Sequence, residues 1–205
     1  MPVIPRRASL DDYFESVGSR ENGIRYVVPH GNEETAKKVA RDQMSADGGT
    51  GYIARSKDRN TLGVDPNSSF GAKNKFSPYA DEMETKLFGG DLVVALHNTT
   101  ADALAMEKDR NDEVVVNNPK YKGYIMTTDP AVFAELKASP YNVVLQYKSK
   151  PKNDQNSLSR RAESTGKKYI NVEAEMGDEK GQKAMLDAAL KAHRKVNGIA
   201  NRSSR

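Results

Sequence analysis

Two of the three histidines in this chain follow apolar runs. His30 lies in "YVVPHGNEETAKKVA" (26–40), after "YVVP" and three residues before Glu33. His97 lies in "DLVVALHNTTADAL" (91–104), where a similar apolar run again stops at a histidine. A hydrolytic zinc site takes three protein ligands from histidine and carboxylate and leaves one position open, and two histidines with one glutamate is a known solution. His30 and Glu33 face one another across a Gly-Asn turn, so both can reach one point, and His97 can arrive from a neighbouring strand. Farther on, "YINVEAE" (169–175) sets Glu173 and Glu175 on one face of a strand, because side chains alternate with period two. Either glutamate is a candidate for the base that takes a proton from water. Taken singly, each residue has a plainer role: a strand-end histidine hydrogen-bonded in a loop, or an acid in the first turn of a helix. Their coincidence makes the case. His193, in the basic end of the last helix, is expected to be a solvated cation near that helix's carbonyl end.

The elements that must position these groups alternate. "IRYVV" reads as a buried strand, "EETAKKVARDQMSA" as a helix with Ala36, Val39, Ala40 and Gln43 or Met44 inward, and "GGTGYIAR" as a second strand. A helix is expected at 78–88, with strands in "DLVVAL", "EVVVNN", "GYIMTT", "NVVLQY" and "KYINVEAE". "DPAVFAELKAS" is a helix opened by an aspartate cap and a proline. "NSLSRRAESTG" reads as a short helix and "DEKGQKAMLDAALKAHRKVNG" as a long one ending at Gly198. This alternation predicts an α/β fold, a mixed, largely parallel sheet with helices on both faces. Residues 1–23 are expected as a surface arm or short capping segment, 24–198 as a single catalytic domain, and 199–205 as a frayed tail. The polar loop at 56–77 is long for a compact domain and is expected to border the site.

Composition narrows the function. Lysine and arginine number 32 against 28 acidic residues, mixed along the chain, so the net charge of +4 forms no block able to track a phosphate backbone. A nucleic-acid partner is disfavoured. Zero cysteines exclude disulfides, thiolate metal sites and a cysteine nucleophile. No run approaches the roughly 18 apolar residues that cross a bilayer, and the first residues lack a signal peptide's apolar core, so a cytoplasmic, non-membrane protein is expected.

Four short strings resemble the aspartoacylase and succinylglutamate desuccinylase branch of the zinc carboxypeptidase family. "PHGNEETA" is similar to its zinc-binding "HGNE" segment, and "ALHNTTAD" to the strand end that supplies its second histidine. "GVDPNSSF" resembles its Asp-x-Asn-Arg-x-Phe segment, and "NSLSRRAESTGKKYINVEAEMG" its distal part with the catalytic glutamate. The likeness covers residues 24–190 in outline. It implies a compact zinc carboxypeptidase-like fold, with His30, Glu33 and His97 as ligands of Zn2+. Glu173 would be the general base, with Glu175 its rival in register, and Asn67 would contact the substrate carboxylate. Ser68 stands where the family has an arginine, so Arg59, Arg160 or Arg161 is expected to replace it, Arg59 also as an oxyanion stabiliser. The implied activity is zinc-dependent hydrolysis of an amide bond in a small peptide or an N-acyl amino acid. The alternatives are a peptidoglycan-fragment peptidase on the same site and a degenerate, non-catalytic metal- or peptide-binding protein.

Overall fold

The computed structural model describes residues 9–18, 21–61, 63–70, 79–99, 103–111, 113–147 and 156–199. The expectations for residues 1–8, for 71–77 of the long loop and for the tail from 200 lie outside them.

Short β-branched runs, apolar on both faces, form the middle of the sheet, as strands covered on both sides must. β2 (Ile24–Val28), β3 (Thr50–Ala54), β4 (Leu92–Thr99) and β8 (Tyr169–Glu175) are parallel in the order β3-β2-β4-β8. Beyond β8, β6 (Tyr124–Thr127) pairs antiparallel to it, β7 (Val143–Leu145) parallel to β6, and β5 (Glu113–Val115) antiparallel to β7. At the opposite edge β1 (Phe14–Val17) pairs antiparallel to β3. The sheet is mixed and largely parallel, as the alternation of elements predicts.

Helices cover both faces. α2 (Glu34–Asp47), α5 (Pro130–Leu136) and α7 (Glu179–Val196) pack Val39, Phe133 and Leu186 onto Val94, Leu96 and Val172. On the other face α3 (Ala80–Phe88), α6 (Leu158–Ser164) and the short α1 (Leu10–Tyr13) pack Met83, Leu158 and Leu10 against Val93, Ala95 and Tyr169. The helix α5 begins as its sequence dictates, with Asp129 accepting from the Ala131 N–H at 2.9 Å and Pro130 in the first turn. Among the described residues, no helix is long and apolar enough to cross a membrane.

The path of the chain decides where ligands can go. From β2 it passes to β3 on one side, and its next parallel strand, β4, lies on the other. The carboxyl ends of β2 and β4 flank this switch in direction, the general ligand position in open α/β sheets. Both candidate histidines stand there.

Four details depart from expectation. The segment expected as a surface arm or short capping segment contributes the edge strand β1 after its short helix α1, because Leu10 and Phe14 are apolar in register and bury completely against the α3 side. The strand expected at 91–96 runs on to Thr99, so His97 is held by a ladder opposite Glu173 rather than at a loose strand end. "ALAMEKDR" forms α4 (Ala103–Arg110), whose Ala103 and Leu104 bury against Tyr124 and Met126. His193 is buried rather than a solvated cation, because it continues the inward stripe of Leu186, Ala189 and Leu190, and burial pushes its pKa down. If β1 is an integral edge strand, Phe14→Ala should lower unfolding stability by about 3–5 kcal/mol in urea titration; a change within about 0.5 kcal/mol would mean the segment is dispensable.

Candidate metal centre

After Val28, Pro29 brings no N–H to extend the β2 ladder, and the chain turns through His30, Gly31 and Asn32 into α2. Gly31 is required there. Its N–H donates to Asp58 O at 3.0 Å, and a Cβ at this position would lie 2.2 Å from Ser56 O and 2.5 Å from Asp58 O. Only glycine lets the loop after β3 cross so closely.

The turn directs His30 and Glu33 inward, and β4 brings His97 to them. His30 Nδ1 lies 2.8 Å from Glu33 Oε1. His97 Nδ1 lies 3.2 Å from His30 Nδ1 and 3.4 Å from Glu33 Oε2, with the two rings 4.9 Å apart. All three side chains are buried, and their ligand atoms fall within 4.8 Å of one another. Ligands held about 2.0–2.1 Å from a tetrahedral ion stand about 3.3–3.4 Å from each other, close to the separations seen. Glu33 Oε2 is buried without a hydrogen bond, 3.4 Å from His97 Nδ1. A buried carboxylate oxygen left without a donor is costly, and a cation at this point would satisfy it. The residues therefore fit a divalent metal ion.

Asp65 completes the arrangement, and sequence reasoning passed it over. Its Oδ1 lies 2.9 Å from His30 Nε2. With Nε2–H donating there, Nδ1 is left as the nitrogen with a free lone pair, the usual way an outer carboxylate sets a ligating histidine. Asp65 is held in turn as the cap of a 3-10 helix (Pro66–Ser68), accepting from the Asn67 N–H at 2.8 Å. An aspartate preceding a proline within "GVDPN" was the available signal.

Burial opposes charge on His30, Glu33 and Asp65, and their mutual contacts overcome it. Hydrogen bonds to Asp65 and Glu33 outweigh desolvation and raise His30 to about 9. Desolvation likewise opposes the Glu33 and Asp65 anions, yet the adjacent imidazoles hold both carboxyls below the usual range.

The structure brings some of the other expected residues to this point. Arg59 reaches the rim, 3.7 Å from Glu33 Oε1 and 3.5 Å from Asp65 Oδ2, with 55 % of its side chain exposed. Asn67 contributes through its backbone to Asp65, and its side-chain oxygen is buried without a partner. Arg160 and Arg161 are engaged elsewhere. Arg160 bonds Glu163 and Arg110 O, and Arg161 forms a bidentate pair with Glu84 at 2.7 and 2.9 Å. Glu173 is the register partner of His97 across β4 and β8, on the same sheet face. Desolvation raises its carboxyl pKa, with His97 opposing and Glu33 reinforcing the shift. Glu175 lies one pleat farther out, opposite Thr99, and accepts the Lys122 N–H at 2.9 Å.

Two outcomes follow from this geometry. Gly31→Ala should displace the Ser56–Asp58 crossing and weaken metal uptake by at least about tenfold, read by chelator competition; unchanged affinity would show that the crossing has no bearing on the ligands. In metal-free protein, His30 gives stability that is full below pH 6.5 and is lost as pH rises through about 9, because its folded pKa is the higher one. The urea midpoint should fall across that window, and His30→Gln should flatten the fall. A slope that survives the substitution would assign it to another group.

No protein-family model matches the chain, and no curated protein matches it in sequence. Solved structures do. Succinylglutamate desuccinylase from Chromobacterium violaceum superposes with a TM-score of 0.54 at 17% identity, over 87% of this chain and 61% of that one. A cell shape determinant protein from Helicobacter pylori gives a TM-score of 0.54 at 14% identity, over 93% of this chain and 57% of that one. The chain thus spans about three fifths of the length of these structures. At such identities the likeness speaks for architecture, and in architecture this chain has the α/β fold of succinylglutamate desuccinylase, as its four short strings lead one to expect.

Proposed function

We propose that this chain is a zinc-dependent amide-bond hydrolase acting on a small peptide or an N-acyl amino acid. The observation that carries the reading is the place of Glu173, ladder partner of His97 and on the same sheet face as that ligand, beside the convergence of His30, Glu33 and His97. The likeness in fold to a desuccinylase supports the hydrolase class.

His30 and His97 through their Nδ1 atoms and Glu33 through its carboxylate would hold the ion, with Asp65 fixing the His30 tautomer. When bound, the ion supplies Lewis acidity, acidifying water and polarising a carbonyl. Glu173 accepts the proton of the attacking water and passes it to the leaving amine. Partial desolvation suits it to both steps, since a carboxyl raised toward neutrality both takes and returns a proton. Arg59, the guanidinium that touches the cluster, sets positive charge at the rim for a developing oxyanion or a substrate carboxylate.

A second reading, a metal- or peptide-binding protein without turnover, is favoured by Ser68. The bidentate clamp that an arginine would offer there is missing, and Arg160 and Arg161 are engaged elsewhere.

Metal analysis of the purified protein, joined to a screen of N-acyl amino acids and short peptides with and without chelator, separates these readings. Chelator-sensitive amine release supports the hydrolase, bound zinc without turnover supports the binder, and absence of both defeats the metal reading. Glu173→Gln should then lower turnover by about 10² or more with zinc retained, while Glu175→Gln should be mild. The reverse pattern would transfer the role to Glu175.

A further inference from the structure

We infer that Asn98 caps α2 in place of Glu33, which frees the Glu33 carboxylate for the histidine cluster, and that Gln182 holds Asn98 and His97 in register behind it. The inference rests on the metal-centre reading only for its consequence for zinc.

Glu33 is the N-cap residue of α2, yet its side chain makes no cap hydrogen bond, because the carboxylate is turned to His30 and His97. The first N–H groups of a helix lack partners within the helix, and the N-cap side chain ordinarily accepts from the second or third of them. Here the third, Ala36 N–H, donates to Asn98 Oδ1 at 2.9 Å. The cap thus comes from another strand. Asn98 follows His97 directly in β4, so alternation sends His97 to the site face and Asn98 to the opposite face, beneath the start of α2.

A second carboxamide holds the first. Asn98 Nδ2 donates to Gln182 Oε1 at 3.2 Å, and Gln182 Nε2 donates to His97 O at 2.9 Å. Both residues are buried, Gln182 completely. Each amide has its acceptor and its donor committed, so turning either one over would set N–H against N–H and carbonyl against carbonyl. The chain of bonds joins the turn that carries Glu33, the strand that carries His97, and α7. A leucine at 98 or 182 would fill the space and break the chain.

Asn98 and Gln182 are therefore positioning residues, and zinc affinity reports on them without reference to turnover. In chelator competition with Zn2+ alone, Asn98→Ala and the near-isosteric Gln182→Leu should each bind about 10- to 100-fold more weakly than the parent, the usual effect of an outer partner of metal ligands. In amide hydrogen exchange, Asn98→Ala should deprotect Ala36 while Val39 and Ala40 keep their protection. Asn142 provides the control: it is fully buried and donates to Asn118 O, Tyr121 O and Gly123 O. Asn142→Ala should lower the melting temperature and leave zinc affinity within about twofold. Parental zinc affinity in both Asn98→Ala and Gln182→Leu would overturn the inference, as would an equal loss of affinity in Asn142→Ala. A parent protein that binds no zinc would defeat the metal reading instead. Ala36 exchange would then decide the capping role, with loss of protection supporting it and unchanged protection overturning it.

Discussion

The site is organised by a buried carboxylate. Glu33 is 1 % exposed, and an isolated carboxylate at that depth would carry a desolvation penalty of several kcal/mol. It persists there because two imidazoles stand against it, and because it occupies the N-terminal end of a fourteen-residue helix, where the peptide dipoles favour negative charge. Much of the surrounding structure can be understood as what this arrangement demands. His30 needs Asp65 to set its tautomer, Asp65 needs its own 3-10 turn, and α2 needs another residue to cap it.

Alternation along β4 meets the last of these demands. His97 and Asn98 are consecutive and project to opposite faces, so one strand supplies both a histidine to the cluster and a cap to the helix that carries Glu33. A shift of β4 by one residue against β8 would exchange the two faces and lose both functions together, which ties site geometry to sheet register. The ladder that pairs His97 with Glu173 enforces that register through seven consecutive residue pairs.

The likeness to longer solved structures bears on fold, while Ser68 and Arg59 bear on what the rim of the cluster can hold. What the chain shares with succinylglutamate desuccinylase is the layered α/β sheet, and in this chain the cluster stands past the carboxyl ends of β2 and β4. Around that cluster, Arg59 on the rim supplies positive charge from an exposed side chain. An exposed guanidinium holds a carboxylate more weakly than a buried bidentate one.

Much of this was legible in one dimension because the signals were local. Apolar runs ending at Pro29 and at His97 mark strands, a three-residue spacing across Gly31 marks a turn that can join His30 to Glu33, and the apolar period of α2 and α7 marks their inner faces. Asp129 before Pro130 names its own helix start. What sequence left open needed contacts between distant segments. Asp65 reaches His30 across 35 positions, and Asn98 reaches Ala36 across 62. The choice between Glu173 and Glu175 turns on which one a neighbouring strand sets beside His97, and a period of two is identical for both. The edge strand β1 and the burial of His193 were missed for the same reason: a four-residue strand interrupted by Glu15 and Ser16, and one histidine in a basic helix end, show their environment only when the neighbouring elements close over them. Local chemistry determined which groups could act here, and long-range packing decided which of them meet.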